Sequence, residues 1–62
     1  MAQYRIYLLD ANNRFRAVEV VECATDDEAR AKAREVMGGL FAGAEVWTDG
    51  RLVAKIRGEQ QV

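Results

Sequence analysis

The residue pattern specifies an α+β domain of ββαββ order: a four-stranded antiparallel sheet, spatial order 2-1-3-4, with one helix packed on one face. Three features point there. One stretch, Thr25 to Gly38, carries a helix start, a helix stop and a single apolar face. The segments before and after it each read as two strands joined by a turn. The chain has 62 residues and no proline, room for one small domain, residues 1–62, with 58–62 as a frayed tail.

The first strand is Tyr4 to Leu9, rich in β-formers. One parity holds Tyr4, Ile6 and Leu8, the other Arg5, Tyr7 and Leu9. Both are largely apolar, which suits an inner strand. Asp10-Ala11-Asn12-Asn13 is a turn, because Asp and Asn bond locally to backbone and tolerate positive φ. The second strand is Phe15 to Cys23. Its alternation breaks at Val20-Val21, where a β-bulge would return Cys23 to the face of Val18 and Val20.

Thr25 and Glu28 form a capping box, and Asp26, Asp27 and Glu28 set negative charge at the positive end of the helix dipole. Glu28 and Lys32 have the favourable i,i+4 order. Ala29, Ala33, Val36 and Leu40 share one stripe with Met37 beside it, while Asp27, Arg30, Arg34 and Glu35 face away. Gly38 supplies the left-handed residue that ends the helix at Met37. Since the inward residues are small, the bulk of the core must come from the sheet.

The third and fourth strands, Ala44 to Thr48 and Arg51 to Ile56, flank Asp49-Gly50, a two-residue turn of type I′. That turn sets Trp47 opposite Leu52 and Val46 opposite Val53. The expectation is that Trp47, Leu52, Ala54, Ile56 and Glu45 face the helix, leaving Val46, Val53, Ala44, Thr48, Arg51 and Lys55 on the open side. With the first strand inside, strands 2 and 3 run parallel across it, so the right-handed crossover rule applies.

Composition bounds the chemistry. Nine basic and ten acidic residues give net charge −1, which sets up no global field for nucleic acid or anionic membrane. There is no histidine, so triad-type nucleophilic sites are absent from these residues, and the lone Cys23 can form neither an intrachain disulfide nor a structural zinc site. Cys23 reads as a buried structural thiol. The run Ile6 to Leu9 is too short for a signal peptide, and no segment approaches a membrane span. A single unpaired thiol fits a reducing compartment, and the expected setting is cytoplasmic.

Three patches carry a resemblance: Tyr4-Arg5-x-Tyr7-x-Leu9-Asp10, then Asp26-Asp27-Glu28-Ala29, then Glu45-Val46-Trp47 followed by Gly50-Arg51-x-Val53-Ala54. Through them the chain resembles a group of very small bacterial ββαββ proteins, a domain of unknown function. The resemblance spans most of the chain. It implies the same fold and a bacterial cytoplasmic setting, and it carries no catalytic or cofactor-binding residue to transfer.

No constellation supports catalysis, a metal or a cofactor. Asp26-Asp27-Glu28 point in different directions around a helix and serve as its cap rather than a cation site. Gly38-Gly39 through Gly43 follows a helix and lacks the Lys-Ser/Thr of a phosphate loop. Two groups stand out as contacts for a ligand or partner. Glu45 beside Trp47 places a carboxylate on an apolar face. Arg51, Lys55 and Arg57 recur at period two on the last strand, a solvated or guarded edge whose alternative is a small nucleic-acid platform with Arg5 and Tyr7.

The expected function is that of a non-enzymatic interaction or scaffold module, a homodimer, with another protein as the alternative partner. A weak nucleic-acid-binding regulator is the runner-up, and no membrane partner is indicated. The expected interface is Tyr7, Leu9, Val46 and Val53, the apolar residues left on the sheet face opposite the helix.

Overall fold

The computed structural model describes residues 1–57; the tail at 58–62 lies outside the described residues. Strands β1 (Ala2–Leu9) and β2 (Phe15–Cys23) precede helix α1 (Asp26–Met37), and β3 (Gly43–Thr48) and β4 (Arg51–Arg57) follow it. All neighbours in the sheet are antiparallel, and the spatial order is β2-β1-β3-β4, as the sequence pattern specifies.

Both turns form by the expected chemistry. Asp49 and Gly50 have φ of 56° and 72°, the two positive values a type I′ turn demands. In the first hairpin the Asp10 carboxylate accepts from the backbone N–H groups of Asn12 (2.8 Å) and Arg14 (3.0 Å). These bonds, that of Arg14 foremost, hold the Asp10 carboxyl below its ordinary pKa of 3.8. A lowered folded value means the contribution is complete above 3.8 and is lost as pH falls through the folded value. Urea midpoints of the wild type should therefore drop on acidification below the ordinary carboxylate range, and Asp10→Asn should flatten that dependence.

Helix α1 starts as expected. Thr25 is extended at φ −139°, and its hydroxyl accepts from the Glu28 N–H at 3.1 Å. The Glu28 carboxylate reaches back one residue further than a standard capping box, accepting from the Ala24 N–H at 2.7 Å. Gly38, at φ 55°, closes the helix with its N–H on the Arg34 carbonyl. Thr25→Ala should cost about 1 kcal/mol in a denaturant titration. The helix surface pairs that form are Arg30 with Asp27 and Lys32 with Glu35, rather than Glu28 with Lys32.

The core lies between α1 and one sheet face. Ala29, Ala33 and Met37 meet Tyr4, Ile6 and Leu8 of β1, Cys23 of β2, and Ala44 and Val46 of β3. Tyr4 keeps its polar tip satisfied: its hydroxyl donates to Asp26 Oδ1 at 2.7 Å, tying β1 to the helix start. That bond, followed by burial, raises the Tyr4 pKa above its ordinary 10.0. Cys23 is buried, as read from the sequence.

Four expectations are corrected. First, Val46, not Trp47, meets the helix, and Val46 is 0% exposed. Second, β4 carries a β-bulge. Val46 pairs with Ala54 while Trp47 keeps Leu52, so Val53 is the extra residue. The bulge separates Leu52, which stays with Trp47, from Ala54 and Ile56, which pack on the core with Val53. Third, no bulge occurs at Val20-Val21. The β2 irregularity sits at Arg16, and Cys23 shares the helix side with Val21 while Val18 and Val20 lie on the open side. Fourth, Leu40 leaves the helix stripe and is 86% exposed, because the chain has already turned at Gly38.

Candidate interaction surface

The sheet face away from α1 has no covering layer among the described residues, and strand register arranges its side chains in rows. Paired residues of antiparallel strands project to the same side. One row runs Val20–Arg5–Trp47–Leu52 across the four strands, the next Val18–Tyr7–Glu45–Lys55, and the third Phe15–Leu9–Gly43–Arg57. The apolar members remain open to solvent: Phe15 is 62%, Val18 51% and Val20 52% exposed. Tyr7 and Phe15 rest against each other with ring centroids 5.4 Å apart, within the range of favourable aromatic pairs.

Glu45 is braced rather than free. One carboxylate oxygen accepts from the Trp47 indole N–H at 3.1 Å, and the other lies 4.0 Å from the Lys55 ammonium. Its side chain is 16% exposed, so Trp47 and Lys55 occupy most of its capacity for a ligand. Its role in this geometry is to fix the indole of Trp47 on the face. Beside it, Arg5, Tyr7 and Trp47 line a shallow depression of about 510 Å³ that ends at the Asp49-Gly50 turn.

The sequence-predicted residues fall into three places. Tyr7, Trp47, Glu45 and Lys55 come together on the open face. Leu9 is on the same face but buried, its side chain close against Gly43. Val46 and Val53 belong to the core side, so neither offers an interface, and a charge at Val53 should weaken the fold itself rather than an association. Arg51 also leaves the row expected for it. It stays paired with Thr48 on the helix side, where its guanidinium lies 4.0 Å from the Asp26 carboxylate, while the bulge puts Lys55 and Arg57 on the opposite side. The basic row of Arg51, Lys55 and Arg57 therefore does not form as one stripe.

Sequence reasoning missed Phe15, Val18, Val20 and Leu52 as members of this surface, and named Arg5 only beside Tyr7 in the alternative nucleic-acid platform. The signal was present in the polar residues: Arg5 and Glu45 share the parity of Trp47, and a face carrying both charges belongs to solvent rather than beneath a short alanine-rich helix.

Among the described residues, no group of three or more His, Cys, Asp or Glu side chains is placed to hold a metal ion. No helix is long and apolar enough to cross a membrane. No protein family matches this chain, and neither does any curated protein or any solved structure.

Proposed function

We propose that this chain is a non-enzymatic interaction module that self-associates through its open sheet face. The observation that carries this reading is the exposure of Phe15, Val18, Val20 and Leu52 in one continuous area around Tyr7 and Trp47. A contiguous apolar area of this kind marks an interface on a soluble domain. A second copy is a fitting occupant. A domain this short buries only about 60% of its unfolded surface, so a two-fold contact adds core that one copy lacks.

Light scattering at micromolar to hundred-micromolar concentration tests it. The expected mass is at least twice that of the 7.0 kDa chain, rising with concentration, and a monomer across that range would sink the reading.

A second reading is favoured by the placement of Arg5, Tyr7 and Trp47 on the two central strands: a platform on which bases of a single strand stack. It is the weaker of the two. Glu45 lies within the same surface and holds Lys55, and the chain carries net charge −1. A phosphate-binding face must weaken steeply with salt. Titration of a fluorescent oligonucleotide at two salt concentrations separates the readings, and salt-independent or absent binding rejects this one.

A further inference from the structure

We propose that the outer edge of β2 is a second self-association contact, at which β2 of one copy pairs antiparallel with β2 of another about a two-fold axis normal to the sheet. Two four-stranded sheets thereby become one continuous sheet of eight. This rests on the reading that the chain self-associates, and it adds a contact distinct from the open face.

The direction of the backbone groups can be followed strand by strand. The Asp10 N–H donates to the Arg14 carbonyl, toward β2. The Leu9 carbonyl accepts from the Ala42 N–H, and the Gln3 carbonyl accepts from the Thr48 hydroxyl, both toward β3. Peptide groups alternate sides along a strand, so the even residues of β1 bond to β2. In the register Ile6↔Glu19 and Tyr4↔Val21, the odd residues of β2 answer them. The N–H and C=O groups of Val18, Val20 and Glu22 therefore point away from the sheet. A row of unpaired edge groups is a template for another strand.

The two edges of this sheet differ in how they are guarded. At β4 the edge has a bulge at Val53, and its charged residues Arg51, Lys55 and Arg57 are all basic. Two such strands repel. β2 is nine residues long, contains neither proline nor lysine, and pairs regularly from Ala17 to Cys23. Its charges have both signs, Arg16 at one end and Glu22 at the other. With the two-fold axis at the strand midpoint, Glu19, an antiparallel copy sets Val18 opposite Val20 and brings the end that holds Glu22 beside the end that holds Arg16, the bulge residue, whose guanidinium also lies 3.9 Å from Asp10. Overlap is then greatest and the end charges are complementary. The one opposing contact is Glu19 against Glu19, on the exposed helix side.

Area also calls for a second contact. Four strands about 4.8 Å apart and about six residues of ~3.3 Å each give the open face a footprint of roughly 400 Å². A stable interface covers about 800 Å² per partner. Edge pairing adds directional backbone bonds to a face that is small for the purpose.

The test is amide hydrogen exchange by NMR on the wild type at two concentrations, with light scattering of variants. The Val18 and Val20 amides are expected to exchange slowly in the assembled protein, with protection that rises with concentration. Val20→Pro removes an N–H that makes no bond among the described residues, and should halve the assembled mass while keeping the circular dichroism spectrum. Glu19→Gln should tighten association several-fold. If Val18 and Val20 exchange as fast as the loop amide of Ala11 in an assembled sample, the edge contact is overturned while association through the open face stands. A monomeric wild type removes both. Should Val20→Pro fail to fold, the wild-type exchange rates decide alone.

Discussion

Ala33→Glu is expected to leave the protein unfolded at 25 °C. Ala33 is 0% exposed and sits in the middle of the helix stripe, between Ala29 and Met37 and against the sheet. A glutamate there must either bury an unpaired carboxylate or push α1 off the sheet. Among the described residues there is no buried polar or charged residue to receive it. Unpaired buried charge and overpacking belong to the few mechanisms that cost about 4 kcal/mol or more. At ~0.05–0.15 kcal/mol per residue, a domain of this length has about 3–9 kcal/mol in all. A far-ultraviolet spectrum with no thermal transition is the expected observation. A cooperative melt within a few degrees of the wild type would show that the helix does not pack through Ala33.

The second large effect is a contrast between two adjacent residues. Val46→Asp should unfold the chain, whereas Trp47→Asp should leave it folded and break the proposed self-association. Neighbouring residues on a strand project to opposite sides. Val46 lies between Ile6 and Ala54 on the helix side and has no exposed surface. Trp47 lies between Arg5 and Leu52 on the open side, with its indole held by Glu45. An aspartate at Val46 loses a buried side chain, worth about 1.5–3 kcal/mol, and adds the desolvation of a charge. At Trp47 the same aspartate is solvated, and its cost falls on whatever covers the face. Thermal melts and light scattering on the two variants read the two outcomes. A Trp47→Asp protein that unfolds like Val46→Asp would contradict the assignment of the open face.

Much of the fold was legible because local chemistry and hydrophobic period agreed. The Thr25 cap, the acidic first turn and the Gly38 stop bound the helix to within a residue of Asp26–Met37. Asp49-Gly50 named its own turn, since few residue pairs accept positive φ twice. Strand order followed from placing β1, apolar in both parities, as an inner strand. The candidate surface was legible in part. Tyr7, Trp47, Glu45 and Lys55 were all singled out by residue type, but the layer each belonged to was assigned wrongly for β3.

The sequence by itself determined the elements, their ends and their order, because caps, turns and alternation are set by residues close together in the chain. Only the tertiary structure decided which face of the sheet the helix covers. That choice depends on summing burial over all four strands. Val53 enters the bulge, Ala54 and Ile56 are turned inward, and Ala44 and Val46 come to lie with Ile6 and Leu8 beneath Ala29 and Ala33. A one-residue bulge reverses parity for every residue beyond it. It is favoured here because it brings Ala54 and Ile56 onto the side of Val46, while Lys55 goes to the open face, where it is largely exposed beside Glu45.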